Sequence, residues 1–140
     1  MKNDRILFII GRINYKVNRF LVKELKKHNL GEISPSHGEI IGWLLLRGSL
    51  QMKEIAEIID KDKSTITSLI NKLIALDYVE KKKDMNDNRI SIISLTAKGK
   101  DLKSLFMEIS EKLITKAFQD ISEQEKEILN ILIVKLNNSM

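Results

Sequence analysis

Residues 52–76, MKEIAEIIDKDKSTITSLINKLIAL, constrain the fold of this chain more than any other stretch. Two short runs of helical periodicity are separated only by Asp60, Lys61 and Asp62. The first predicts a helix over 52–59. The second predicts a helix over 63–76, with Ile66, Leu69, Ile70 and Leu73 at i, i+3, i+4 and i+7 on one face. Asp62 is placed to cap that second helix by accepting from the Thr65 backbone N–H. The period then changes. YVEKKKDMNDNRISIISL carries β-branched residues that favour extension, predicting strands at Tyr78–Lys82 and from Ile90 to Leu95 around the polar tip DMNDN. Two short helices on a tight turn, followed by a hairpin, make a winged helix-turn-helix.

The flanks are helical. Residues 4–28 carry Ile6, Ile9, Ile10, Ile13, Val17, Phe20 and Leu21 in one stripe, with most of the lysines off it. Ser34 and Pro35 make a cap and first-turn pair for a helix over 35–47 that stops at Gly48. The connector SLQ is long enough for a very short strand. Thr96 caps a helix expected to run to about 119, and Ser122 with Glu125 has capping-box spacing for a last helix. One proline and six glycines in 140 residues leave little to interrupt these helices. The expected fold is mostly α with a small β wing: one domain, 1–140, holding a winged core at 34–100 between long helices at 1–30 and 101–140. A small winged core cannot cover the stripes on those end helices, so they are expected to pair with each other and with a second chain.

The remaining composition narrows the function. There is no cysteine, hence no disulfide, thiol nucleophile or cysteine redox switch. No segment approaches 18 uncharged apolar residues, and the N-terminal apolar run of five residues, Ile6 to Ile10, is too short for a signal-peptide core. No membrane partner and a cytoplasmic location are expected. No nucleophile–base pair, phosphate-cradling glycine loop or dense carboxylate cluster is visible, which argues against an enzyme. The net charge is +5, and it is uneven: +4 over residues 1–46, +3 over 47–100 and −2 over 101–140. A basic balance over the first hundred residues suits a polyanionic partner.

The outer face of helix 63–76 is either a solvated face low in charge or, with the turn before it and the hairpin after it, a surface for that partner. It carries Ser64, Ser68, Asn71 and Lys72, with Thr65 and Thr67 at its edges. A solvated helix face usually carries Glu and Lys, because Ser, Thr and Asn are poorer helix formers. The second helix of a helix-turn-helix lies in a major groove, where short donors and acceptors reach base edges or phosphates. The expected partner is therefore double-stranded DNA. The wing adds Lys82 beside Lys81 and Lys83 for phosphates, and Arg89 for a narrow minor groove, pre-set by Asp87 two residues before it. The rival reading is a winged helix that docks a protein. It predicts little dependence on salt, whereas phosphate contacts release counterions and weaken steeply with it.

His28 and His37 are the only histidines, and both are expected to be exposed near helix ends, so neither a metal nor another cofactor is expected. Tyr15, Phe20 and Trp43 lie on or near the first two helices, where they serve either as core or as the lining of a ligand pocket.

The run from Met52 to Leu102, with KEIA, DKSTIT, YVEKKKD, DNR and LTAKGK in order, resembles the MarR/SlyA family of multiple-antibiotic-resistance regulators. The resemblance covers residues 34–105 by motif and the end helices by length and pattern. It implies a homodimeric winged-helix transcription regulator on a pseudo-palindromic operator, a repressor more than an activator. It points to Ser64, Thr65, Thr67, Ser68 and Asn71 as recognition contacts and to Asp87 and Arg89 as the wing pair. It also implies a small, often aromatic effector between the end helices and the winged core. The sequence departs from the family pattern where Ser68 replaces a common basic residue, Asn88 a common arginine and Met85 a common proline.

Overall fold

The computed structural model describes residues 5–140. The expected first residue of the opening helix, 4, lies outside the described residues, and so does the start of the 1–30 segment. In chain order the elements are α1 (Arg5–Lys27), α2 (Pro35–Arg47), β1 (Ser49–Gln51), α3 (Met52–Ile59), α4 (Lys63–Ala75), β2 (Val79–Lys83), β3 (Ser91–Leu95), α5 (Ala97–Lys100), α6 (Lys103–Ala117) and α7 (Glu123–Ser139). The short connector SLQ is a strand. It joins the hairpin in an antiparallel sheet ordered β1-β3-β2, with Leu50 opposite Ile93 and Val79 opposite Leu95.

Local chemistry sets the helix ends. Ser34 caps α2, Pro35 occupies its first position, and Gly48 ends it at φ 88°, a conformation that favours glycine. Asp60 closes α3 in the left-handed region, at φ 57°, which the short side chain of Asp tolerates. Asp62 then accepts the Thr65 N–H at 2.7 Å and starts α4. Ser122 and Glu125 close a reciprocal capping box on α7 at 3.1 and 2.9 Å.

The core lies where α2, α3 and α4 meet the sheet. Ile40, Ile41, Leu44, Ile55, Ile66, Ile70, Leu73 and Ile93 are almost completely withdrawn from solvent. Leu69 packs against this cluster at its margin. The helical face foreseen on α4 is therefore the buried one.

Two expectations are corrected. The helix expected from Thr96 to about 119 is two helices. The Leu102 N–H turns back to the Gly99 carbonyl at 3.2 Å, and α6 restarts with the Phe106 N–H on the Leu102 carbonyl at 2.9 Å. The break lets α5 pack against β3 and the Tyr78 carbonyl just before β2, while α6 packs against α1. His37, expected to be exposed, is 8% exposed and completes the cap of α2. Its Nδ1 accepts the Ser34 backbone N–H at 2.9 Å and lies 2.8 Å from Ser34 Oγ. Burial, helped by the charge of Lys72, lowers its pKa and favours the neutral imidazole that this acceptor role needs. His28 is half-buried, and its Nε2 stands 3.8 Å from Glu24.

The long end helices are only partly used. In α7 no residue is buried, and Ile128, Leu129, Ile131, Leu132, Ile133 and Val134 face solvent. At the other end of the chain Ile6, Leu7, Phe8, Ile9 and Ile13 of α1 are exposed as well. No helix among the described residues is long and apolar enough to cross a membrane.

Candidate nucleic-acid interface

With Ile66, Ile70 and Leu73 turned into the core, the helical period leaves Ser64, Ser68, Asn71 and Lys72 exposed on the opposite face of α4. Thr65 and Thr67 are half-buried at its edges. Ser64 Oγ donates to Asp62 Oδ1 at 2.9 Å, and Thr67 Oγ1 donates to the Lys63 carbonyl at 2.8 Å. Both hydroxyls keep their lone pairs, so they are held in fixed orientations as acceptors. Bonds from the Thr65 backbone, the Thr65 side chain and then Ser64 keep the Asp62 carboxyl below the usual carboxylate range, so the cap stays ionised.

The wing places Arg89 with comparable definition. Its Nε lies 3.1 Å from Asp87 Oδ1 and its second guanidinium nitrogen 3.2 Å from Oδ2, a two-pronged pair. The Arg89 backbone N–H adds a third bond to Asp87 Oδ1 at 3.0 Å. Side-chain bonds from Arg89, with the backbone bond second, lower the Asp87 pKa. The arginine side chain is nonetheless 91% exposed, so its outer edge remains available to an acceptor in solvent. Lys82 stands on the edge strand β2, 3.4 Å from Glu80, with most of its side chain in water.

Between α3, α4 and the wing lies a cleft of about 440 Å³ whose lining includes Lys53, Lys63, Lys81 and Arg89. The sequence reading named the wing cations and missed Lys53 and Lys63. A signal for them existed. Both sit in the first turn of a helix, where a cation opposes the dipole and is unfavourable without another purpose.

The three aromatic residues weighed for a ligand pocket do not come together. Phe20 lines a cleft with Leu113 and Phe118 that does not include Tyr15 or Trp43. Tyr15 is exposed beneath Arg19, 5.7 Å from the ring centre, and Trp43 is half-buried beneath Arg47 at 5.4 Å. Among the described residues no group of three or more His, Asp or Glu side chains is placed to hold a metal ion.

Comparison with known proteins agrees with this architecture. A model of the MarR family matches residues 32–90, from the loop before α2 to the wing. The HTH-type transcriptional regulator SarZ of Staphylococcus aureus is 39% identical over 84 residues, covering 59% of this chain and 55% of SarZ. The match thus spans about half the length of that relative. The MarR protein from Peptoclostridium difficile DA00132 superposes with a TM-score of 0.89 at 24% identity, over 98% of this chain and 88% of that one. MepR of S. aureus, in a structure of its complex with DNA, superposes with a TM-score of 0.86 at 21% identity, over 95% and 96% of the two chains. The family match falls on the helix-turn-helix and wing, and a likeness of fold extends to the end helices: residues 32–90 match the MarR family, in a chain that has the winged-helix fold of the MarR proteins it superposes on.

Proposed function

We propose that the protein is a cytoplasmic, homodimeric transcription regulator that represses from a pseudo-palindromic operator and is released by a small molecule. In this reading 34–100 is the DNA-binding core and 1–30 and 101–140 are dimerisation helices. The observation that carries it is the exposed row Ser64, Ser68, Asn71 and Lys72 on α4, flanked by a basic cleft and by an arginine locked at the wing tip. Acceptors and an amide at the groove floor read base edges, while Lys82 and the cleft lysines hold the phosphate backbone. Arg89 enters the adjacent minor groove, with Asp87 setting the guanidinium plane. That MepR, a protein of this fold, is found in a complex with DNA supports a DNA partner here.

Two such heads on a two-fold axis need half-sites about one helical turn apart, roughly 34–36 Å. A ligand releases the operator by binding one spacing of the heads better than another, because only differential affinity shifts an equilibrium. The test is selection of sites from random duplex DNA with the purified chain. Enrichment of a pseudo-palindrome with that spacing, and affinity falling steeply with salt, are expected. Failure to prefer any duplex in dilute salt would leave a protein-docking winged helix instead.

Two substitutions separate the roles on the selected site. Asn71→Ala is expected to lose about 1–3 kcal/mol and to relax preference at one base pair. An equal loss on every sequence would remove direct readout by that residue. Arg89→Ala is expected to lose about 1–3 kcal/mol on the operator, with the dimer unchanged in sedimentation. Unaltered affinity would mean that the wing stays clear of the groove.

A further inference from the structure

Leu76, Asp77 and Tyr78 join α4 to β2, and so join the recognition helix to the wing. Their backbone groups are divided between two partners. The N–H groups turn back to α4: Leu76 to the Lys72 carbonyl at 3.0 Å, Asp77 to that of Ile74 at 2.9 Å and Tyr78 to that of Leu73 at 2.9 Å. The carbonyls are held by the segment that leaves the wing. Lys98 Nζ donates to the Leu76 carbonyl at 2.8 Å, Thr96 Oγ1 to that of Asp77 at 2.6 Å and the Thr96 N–H to that of Tyr78 at 3.1 Å. Every backbone donor and acceptor of this connection thus has a partner within the chain, although Asp77 is exposed. Asp77 stands at φ 65°, a left-handed conformation that persists where the surroundings dictate it.

The Thr96 hydroxyl works in both directions. It accepts the Gly99 N–H at 3.1 Å, which starts α5, and gives its own proton to Asp77. One oxygen therefore caps α5 and grips the connection. Lys98 lies over the Tyr78 ring with its ammonium directed at Leu76. Among the described residues no other lysine ammonium donates to a backbone carbonyl. At the foot of the wing this cation would otherwise pass for one more phosphate contact.

The wing is a lever on that connection. Its strand β3 is fixed to the core by pairing with β1, and residues 76–78 are where α4 is fixed to the same sheet. The strand from Tyr78 to Asp84 reaches about 20 Å at roughly 3.3 Å per residue, so a tilt of about 10° at its foot moves the tip by about 3.5 Å. A hydrogen bond does not survive such a displacement.

We propose that Thr96 and Lys98 are positioning residues for recognition: they fix the angle between α4 and the wing, so that Asn71 and Arg89 reach adjoining grooves of one duplex in register. Neither touches the duplex. The use of that angle on DNA rests on the regulator reading above, while the fixed angle itself does not.

Lys98→Met keeps the stem over the Tyr78 ring and removes the ammonium. In the parent chain Arg89→Ala is expected to weaken the selected operator about tenfold or more, and in the Lys98→Met background less than about twofold, because the arginine no longer meets its groove. Asn71→Ala is expected to cost the same factor in both backgrounds, within about twofold. Thr96→Val, which keeps the shape of the side chain, is expected to give the same non-additivity with Arg89, with a lowered melting temperature because α5 loses its cap. An equal loss from Arg89→Ala in every background would overturn the proposal; a phosphate contact by Lys98, or a general loosening of the fold, gives that result.

The absence of cysteine permits a second measurement without DNA. Ser68→Cys and Met85→Cys put nitroxide labels on exposed positions of α4 and of the wing tip, and an excess of unlabelled chain keeps the measured pair within one protomer. The distribution of distances is expected to be narrow in the parent and broader with Lys98→Met. An unchanged distribution would overturn the proposal whatever the duplex shows. A broadened distribution in a chain that prefers no duplex would keep the fixed angle and remove the regulator reading.

Discussion

Gly99→Ala is expected to destabilise the fold by about 3 kcal/mol or more, seen as a lowered urea midpoint with an unchanged slope. Gly99 is buried in α5, directly beneath the carbonyl of Tyr78. A Cβ there would fall inside the contact radius of that carbonyl oxygen and come within 3.0 Å of a Leu95 methyl. The methyl can rotate away, but the carbonyl cannot. It accepts the Thr96 N–H at 3.1 Å, and its neighbours are tied down by Thr96 Oγ1 donating to the Asp77 carbonyl at 2.6 Å and Lys98 Nζ donating to the Leu76 carbonyl at 2.8 Å. Lys98 also lies over the Tyr78 ring, 4.6 Å from its centre. Relief therefore requires moving the whole turn between α4 and β2, which carries the reading helix on one side and the wing on the other. A midpoint lowered by less than the equivalent of about 0.5 kcal/mol, the scatter of ordinary surface substitutions, would show that α5 is free to lift away.

The same residue explains where sequence reasoning stopped short. The stripe through Leu102, Leu105, Phe106 and Ile109 has unbroken helical spacing, so periodicity alone joins Thr96 to residue 119. The interruption at Asp101 and Leu102 follows Gly99, which lies against the Tyr78 carbonyl, a contact distant in sequence that periodicity does not encode. Elements whose limits are written in local chemistry were legible. Asp62 capped α4 as expected, Ser122 paired with Glu125, and Asp87 held Arg89. His37 was misjudged because the position three residues after a capping serine usually belongs to Glu or Gln, and a histidine there gives no warning that it will cap. The ligand-pocket guess looked to aromatic residues, yet Tyr15 and Trp43 sit under arginines instead.

Leu132→Asp is expected to convert the protein to a monomer and to weaken operator binding at least a hundredfold, with helicity reduced only in the last helix. The argument begins with α7, a 17-residue helix that buries none of its residues in the single chain. A helix gains most of its stability by packing an apolar face, and monomeric proteins rarely leave one of this extent in water. Leu132 is 56% exposed at the middle of that face, with Ile128 at 58% one turn before it. A carboxylate forced against the apolar residues of this face, if they meet a partner helix, costs far more than the lost leucine contact. The winged core, whose buried residues come from α2, α3, α4 and the sheet, is expected to keep its fold, so one reading head still meets one half-site. What disappears is the second head, held by its partner at a high effective concentration over the other half-site. Sedimentation and operator titration on the same sample decide the matter. A variant that stays dimeric would place the interface elsewhere. A monomer with undiminished affinity would show that the two heads do not act on the duplex together, and the pseudo-palindrome would lose its physical basis.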